Sequence, residues 1–216
     1  MNVYFISGMG ADHRAFSRIT LPKGYNAAYI HWTAPHKKEK LADYALRLAS
    51  QIDTSAPFVL AGLSMGEMMA VEIARQFPPV CTLLISSIPV AAQLPRYYRW
   101  AGRLQATNLI SPSFLKVLKA AARFKQALTR WPSPAQKLTH DMLQDTDNDF
   151  LRWSMIAVLN WNNSQPPHPL HHIHGTKDRV LPIRFTHPTH VVPKAGHILV
   201  MSHPEAVNAF LQEVLS

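Results

Sequence analysis

The amino-acid sequence predicts an α/β fold in which a mostly parallel sheet of about six strands is flanked by helices. Continuous apolar runs of strand length recur along the 216 residues, and such runs are typical of strands covered on both faces. Stretches with the helical spacing of apolar residues separate these runs. Apolar residues make up 47% of the chain and charged residues 16%, so the composition is that of one folded domain with a sizeable core.

The predicted strands and helices alternate along the chain, which favours a parallel sheet. Apolar runs predict strands over residues 3–6, 27–32, 58–61, 82–86, 170–174 and 190–192. Helical spacing predicts helices over residues 41–52, from about 65 to 77, and from Pro204, as the first helical residue, to Leu215.

One long segment interrupts the alternation. Between about residue 90 and residue 167 the sequence has helical patterns and several prolines, but no clear strand. We therefore predict that residues 1–90 and 168–216 form one core, and that residues 91–167 are an inserted helical cap or lid.

The sharpest local signal is the sequence Gly62-Leu63-Ser64-Met65-Gly66, which follows a predicted strand and opens a predicted helix. A serine hydroxyl is a poor nucleophile unless it is exposed, positioned and next to a base. A tight strand-to-helix turn exposes it, and the flanking glycines avoid clashes with neighbouring elements. The start of the helix also supplies free backbone N–H groups, which can stabilise a developing oxyanion.

Two partners for this serine follow in the chain, each in a loop after a predicted strand. These are Asp178 and His197, so the order is Ser, Asp, His. The chain resembles the α/β-hydrolase superfamily, and in particular its small, lid-bearing, esterase-like serine hydrolases. The resemblance implies that Ser64 attacks a carbonyl, that His197 acts as the base, and that Asp178 orients the imidazole.

The resemblance also implies an oxyanion hole made of two backbone N–H groups. One belongs to Met65, and alignment of the glycine in the first loop assigns the other to Met9. The chain departs from the family pattern at two places, since Ser7 stands where many relatives have histidine and Glu67 stands where a small residue is common. We expect Glu67 to be a surface carboxylate at the helix start, where the helix dipole favours it. Relative to the family, we also expect the sheet to lack two strands at its N-terminal edge.

Other polar and aromatic residues are weaker candidates. His13 is near the expected oxyanion loop, and Trp153 and Trp161 lie in the inserted segment, so we list all three as candidate substrate-pocket residues. The histidine-rich stretch 168–174 is expected to place histidines at a strand edge rather than around a metal, because His172 and His174 face one side of a strand and His171 the other. We expect no metal ion and no cofactor; the glycines of the first loop fail the dinucleotide-binding pattern.

The positive charge is confined to one part of the chain. The formal net charge is +9, and residues 91–140 hold nine basic residues and no acidic one. Four of these bases fall opposite an apolar stripe in one helical pattern, and three more cluster in the same way on a preceding helical pattern. The four are Lys116, Lys119, Arg123 and Arg130, the three are Arg96, Arg99 and Arg103, and the stripe is Phe114, Val117, Leu118, Ala121, Phe124 and Leu128. The basic faces are either the solvated outside of a lid or a surface that attracts anionic substrates or an anionic lipid surface. We do not expect nucleic acid as a partner, since no zinc-finger or RNA-recognition motif is present.

The lack of a recognisable targeting signal leads us to expect a soluble, cytoplasmic protein. The first residues form neither the charged region nor the long apolar run of a signal peptide, and no stretch approaches a membrane-spanning length. The single cysteine, Cys81, excludes an intramolecular disulfide. Nothing in the sequence indicates the oligomeric state.

Three functional hypotheses follow. The first is a serine hydrolase that cleaves a small-molecule carboxylic ester or thioester through an acyl-enzyme. The second is the same fold with another chemistry, either C–C bond hydrolysis or lyase-type proton transfer, because a fold does not fix a reaction. The third is a non-catalytic binding protein.

Overall fold

The computed structural model describes residues 1–103, 111–128 and 133–216. Of the residues singled out in the inserted segment, Arg130 and the side chains of Arg103, Lys125 and Leu128 lie outside the described part. No helix in the described ranges is both long enough and apolar enough to cross a membrane.

Six parallel strands form one sheet, in the order β2-β1-β3-β4-β5-β6. The strands are β1 Asn2–Ile6, β2 Asn26–Ile30, β3 Phe58–Leu63, β4 Cys81–Ile85, β5 Leu170–Gly175 and β6 His190–Val192. The α/β fold and the number of strands are therefore as the sequence predicts.

Helices connect and cover these strands. They are α1 Leu41–Leu48, α2 Met65–Gln76, α3 Arg96–Arg103, α4 Pro112–Leu128, α5 Pro134–Asp145, α6 Asn148–Leu159, α7 Leu199–Ser202 and α8 Pro204–Leu215. Four of them, α3 to α6, lie in the inserted segment between β4 and β5. A helix over α5 was not predicted, although Pro134 at its first turn and a capping box between Ser133 and Gln136 mark its start.

Alternate residues of each central strand face two different layers of the core. Tyr4 and Ile6 of β1 pack with α1 and α2, and residues of α6 join the same cluster. Val3 and Phe5 of the same strand pack on the other side, in a cluster that includes residues of α7 and α8. Both faces of the sheet are thus covered, which accounts for the continuous apolar runs in the sequence.

The inserted segment packs differently from the prediction. Leu115 of α4 is fully buried, whereas the members of the predicted apolar stripe whose exposure is described face solvent. The basic side is turned toward α5 instead, where Lys119 donates to the backbone carbonyls of Gln144 and Thr146. The expectation that the basic face of α4 is its solvated outside is therefore wrong for Lys119, because this ammonium group is held by carbonyl oxygens.

Candidate active site

Ser64 lies at a sharp turn between β3 and α2. Its backbone has φ 54° and ψ −118°, a left-handed conformation that is strained for a residue with a side chain. Two hydrogen bonds hold the turn: the N–H of Ser64 donates to the carbonyl of Ile85, at 3.1 Å, and the hydroxyl of Ser87 donates to the carbonyl of Ser64, at 2.7 Å. The end of β4 thus fixes the backbone that carries the serine.

The two glycines of the motif are needed for close packing. A Cβ on Gly62 would lie 2.2 Å from the Cα of Glu67, and a Cβ on Gly66 would lie 2.1 Å from the carbonyl oxygen of Ile6. Both contacts are with backbone atoms, which cannot move aside as a flexible side chain could. The helix can therefore start directly against β1 and β3 only because these positions lack a side chain.

The structure brings the three residues of the predicted triad together. The Oγ of Ser64 lies 2.9 Å from the Nε2 of His197, and the Nδ1 of His197 lies 2.7 Å from the Oδ2 of Asp178. Both separations are hydrogen-bond distances. With Nδ1–H donating to the carboxylate, the Nε2 lone pair is directed at the serine hydroxyl, which is the tautomer that a general base requires.

Asp178 is held as an acceptor by backbone donors. Its Oδ1 accepts hydrogen bonds from the N–H groups of Val180 and Leu181, at 2.8 and 2.9 Å, while Oδ2 faces His197. The side chain is fully buried. These hydrogen bonds fix the carboxylate, so its orientation does not depend on solvent.

The loops that carry Asp178 and His197 are joined to each other. The N–H of Thr176 donates to Val192, and the N–H of Lys177 donates to Ala195 at 2.8 Å. A Cβ on Gly175 would lie 2.4 Å from the carbonyl oxygen of Ala195, so a side chain there would push the loops apart. The distance between the acid and the base is therefore set by packing between the ends of β5 and β6.

The loop after β1 lies close to Ser64. A Cβ placed on Gly8 would lie 3.3 Å from the Cβ of Ser64, and Met9 lines the same cavity as Ser64. Met65 is the first residue of α2, where a backbone N–H has no acceptor within the helix. The two residues predicted to supply backbone donors, Met9 and Met65, thus line the same cavity as Ser64.

A cavity of about 440 Å³ opens at Ser64. Among the described residues that line it, only Ser64 and Tyr98 have polar side chains. The apolar lining residues of the core are Met9, Met65, Met68, Val180 and Leu181, and those of the inserted segment are Leu94, Ala101, Phe114, Met155, Val158 and Leu159. Burial raises the pKa of the Tyr98 hydroxyl, and Tyr97 and Asp178 raise it further, so this hydroxyl stays protonated.

The three candidate pocket residues do not line this cavity, which corrects the prediction. Trp153 packs against Tyr44, with ring centroids 4.2 Å apart, and donates its indole N–H to the carbonyl of Glu39. Trp161 is buried and donates to a carboxylate oxygen of Glu72, at 2.7 Å. Both indoles fill the core between α6 and the helices beneath it, where aromatic area stabilises packing and the N–H finds an acceptor.

His13 follows β1, but it is not among the residues that line the cavity at Ser64. Its ring centroid is 5.9 Å from that of Tyr29 and 5.7 Å from that of His31. About half of its side chain is exposed. His13 is therefore part of the outer surface beside β2 and not of the cavity at Ser64.

Glu67 is completely buried, so the expectation of a surface carboxylate is wrong. Both of its carboxyl oxygens are buried and have no hydrogen-bond partner among the described residues. Burial raises the pKa of this carboxyl well above its ordinary value of 4.5, and the nearby Ser87 hydroxyl offsets this only in part. The side chain is buried because it lies in the first turn of α2, which packs onto β3 at Gly62.

His172 and His174 of β5 are buried and do not lie on an edge strand, because β5 lies between β4 and β6. The Nε2 of His174 donates to the carbonyl of Leu181, at 2.8 Å, and its Nδ1 lies 3.1 Å from the Nε2 of His172. Burial lowers the pKa of both imidazoles, and that of His172 falls to about 3. The Nε2 of His174 is also 3.4 Å from the Oδ2 of Asp178, so the neutral pair lies directly behind the triad. Among the described residues, no cluster of three or more histidine, cysteine or acidic side chains is arranged to hold a metal ion.

The strand order and the position of Ser64 at the end of β3 are those of an α/β hydrolase. The sequence model described as the alpha/beta hydrolase family matches residues 3–210. The chain therefore belongs to the alpha/beta hydrolase family. A search of the curated proteins found none that matches this sequence.

Several solved structures share this fold at low sequence identity. A thermophilic esterase from Thermogutta terrifontis is 18% identical, with a TM-score of 0.70 over 100% of this chain and 89% of that chain. An esterase from Exiguobacterium antarcticum is 19% identical, with a TM-score of 0.70 over 100% and 91% of the two chains. The enol-lactonase from Burkholderia xenovorans LB400 is 16% identical, with a TM-score of 0.68 over 99% and 90%. At such identities the similarity shows the fold alone.

Proposed function

We propose that this protein is a serine hydrolase that cleaves small carboxylic esters or thioesters through an acyl-enzyme. The observation that carries the proposal is the hydrogen-bonded series from Ser64 through His197 to Asp178, at a strained turn that opens into a cavity. The esterases and the enol-lactonase among the similar structures also favour hydrolysis of a carbonyl ester. We further propose that residues 91–167 form the lid of this site.

The first half of the proposed reaction transfers the acyl group to the serine. The Oγ of Ser64 attacks the carbonyl carbon of the substrate while its proton passes to the Nε2 of His197. The resulting oxyanion accepts hydrogen bonds from the backbone N–H groups of Met65 and Met9. When the tetrahedral intermediate collapses, the bond to the leaving oxygen or sulfur breaks, and the leaving group takes the proton from His197.

The second half releases the acid. A water molecule gives a proton to the Nε2 of His197 and attacks the acyl carbon, and the same two backbone donors stabilise the second oxyanion. Collapse breaks the bond to the Oγ of Ser64, which recovers the proton from His197. Throughout, the carboxylate of Asp178 stabilises the imidazolium and keeps Nδ1 protonated.

The lining of the cavity indicates an apolar acyl or alcohol group in the substrate. The described lining residues carry no charged side chain, so a charged group would lose its hydration there without a partner. A volume of about 440 Å³ is within the range of small-molecule sites. We therefore propose neutral esters or thioesters, and not anionic substrates, as the class that this cavity accepts.

The test is a series of p-nitrophenyl esters with acyl chains from acetyl to dodecanoyl. We expect measurable turnover, with kcat/KM rising as the chain fills the cavity and falling once it exceeds it, and a matching series of thioesters tests the sulfur leaving group. Ser64→Ala is the control and should abolish turnover above the uncatalysed rate. Turnover by the Ser64→Ala variant equal to that of the wild type would refute the proposal.

A further inference from the structure

The apolar side of α4 faces solvent. Val117 and Phe124 are each 67% exposed, and Phe114 and Leu118 on the same side are also exposed. These positions share one arc of about 120° at the helical spacing of 100° per residue. Because apolar area in water carries a free-energy cost, a contiguous stripe of this kind marks an interaction surface.

The polar side of the same helix is the side that packs on the protein. The guanidinium of Arg123 donates to the side-chain oxygen of Gln144, at 2.7 Å, and Lys119 donates to backbone carbonyls in the same region. Rotating the helix to bury its apolar stripe would break these hydrogen bonds. The exposed stripe is therefore fixed by the packing of α4 on α5.

The neighbouring helix α3 presents the same combination of residues. Trp100 is 64% exposed, and Tyr97 and Arg96 on the same side are exposed as well. Tyr98 and Ala101 face the other way and line the cavity at Ser64. On α4, Phe114 lines this cavity at the edge of the stripe and remains partly exposed. The two helices that expose aromatic and aliphatic side chains are thus also walls of the catalytic cavity.

The charge of this region favours one kind of partner. Residues 91–140 contain nine basic residues and no acidic one. A second copy would bring two surfaces of equal positive charge together, and like charges across an interface are repulsive. Exposed aromatic and aliphatic residues in a basic region are the combination by which surface segments bind anionic membranes.

We propose that the exposed faces of α3 and α4 are a docking surface for an anionic lipid bilayer. The aromatic and aliphatic side chains enter the interface, and the exposed basic side chains of the two helices, Arg96 and Lys116 among them, attract the anionic headgroups. The surface adjoins the cavity, so a lipid-soluble ester can pass from the bilayer to Ser64 without crossing water. This last step rests on the proposed esterase function, whereas the docking itself does not.

The test measures sedimentation of the protein with two kinds of vesicle, one of phosphatidylcholine alone and one with about a third phosphatidylglycerol. We expect at least about tenfold tighter binding to the anionic vesicles, and weaker binding as salt screens the charges. The double variant Val117→Gln/Phe124→Gln should lose most of this binding, because both side chains are exposed and neither supports the core.

The matched control is Val80→Gln/Val191→Gln, which changes two valines that are 48% and 51% exposed outside the inserted segment. This control should bind anionic vesicles as the wild type does. No binding by the wild type, or equal binding by the α4 variant and the wild type, would overturn the proposal. A dimer in solution that the α4 variant dissolves would also overturn it, because the stripe would then be an interface between copies.

The two proposals can fail separately. Ser64→Ala should bind vesicles as tightly as the wild type, since docking does not use the serine. Turnover of a water-soluble ester without vesicle binding would refute docking and leave the esterase proposal in place. Vesicle binding without any turnover would refute the esterase proposal and leave docking in place.

Discussion

Replacing Glu67 by glutamine is expected to stabilise the protein at neutral and alkaline pH. The carboxyl is completely buried beside the turn of Ser64, and burial raises its pKa well above 4.5. Above pH 4.5 the unfolded chain releases this proton, whereas the folded protein retains it until the higher pKa is reached. The unfolded state therefore binds fewer protons, and stability falls as the pH rises through this window.

The size of the effect follows from linkage. Each pH unit between the two pKa values of Glu67 costs the wild type about 1.4 kcal/mol. Glutamine has nearly the same shape and does not titrate, so the variant lacks this slope. The assay is urea unfolding of both proteins at several values between about pH 5 and pH 8. We expect the difference in unfolding free energy to grow with pH in favour of the variant.

The control for the loss of one carboxylate is Glu205→Gln, which neutralises an exposed carboxylate in the first turn of α8 that pairs with Arg18 at the surface. A constant difference between wild type and Glu67→Gln across the pH range would refute the reasoning. A variant that becomes relatively less stable as the pH rises would refute it as well, since the sign would be reversed.

Three other changes test the packing, the buried histidines and the catalytic acid. Gly66→Ala should lower the free energy of unfolding in urea by at least about 3 kcal/mol, because the added Cβ would lie 2.1 Å from a backbone oxygen. Gly196→Ala, with open space around the added Cβ, should lower it far less. Equal losses in the two variants would contradict the packing argument. Burial lowers the pKa of His172 from 6.5 to about 3, so the contribution of this residue to stability should fall as the pH falls from 6.5 toward 3, by up to about 1.4 kcal/mol per unit. The difference in unfolding free energy between the wild type and His172→Gln should therefore shift in favour of the variant as the pH falls, and a constant difference counts against a neutral, buried imidazole. Asp178→Asn should lower kcat for an ester on the order of 10⁴-fold while the far-ultraviolet circular dichroism is retained, and a loss below about tenfold would remove this residue from the proposed triad.

The core strands and the turn at Ser64 were predictable because their signals are local. Each of the six predicted strands overlaps an observed one, with ends that differ by a few residues. Gly62 and Gly66 bracket the serine within five positions, and the reason for both glycines lies in the strands that directly adjoin them. Short-range sequence therefore contains most of what determines this turn.

The errors arise where a residue's environment depends on distant parts of the chain. The sequence does not reveal that β6 pairs with β5, so that His172 and His174 lie on an interior strand of the sheet. Periodicity identifies α4 as amphipathic, but the partner of each face is set by α5, whose polar groups hold Lys119. In the same way, the helix dipole favours a carboxylate at Glu67, but packing of α2 onto the sheet buries it, and packing determines the outcome.

The candidate pocket residues also show that the sequence does not reveal contacts between distant parts of the chain. Trp153 and Trp161 are predicted to line the pocket because aromatic residues in an inserted segment often line an apolar pocket. Their indole N–H groups instead bind Glu39 and Glu72 on the core beneath α6. The residues that do line the cavity include four methionines, and flexible side chains of this kind are common in cores as well as in sites, so the sequence gives no signal for them.

The most direct test of the proposed function is intact-mass measurement after reaction with a fluorophosphonate. The wild type should gain the mass of one phosphonyl group, which peptide mapping should locate on Ser64. The Oγ of Ser64 lies 2.9 Å from the Nε2 of His197, so it can lose its proton to this base as it displaces fluoride from phosphorus. Both Ser64→Ala and His197→Ala should remain unmodified under the same conditions. No adduct on the wild type, or an adduct on another residue, would contradict the assignment of Ser64 as the nucleophile.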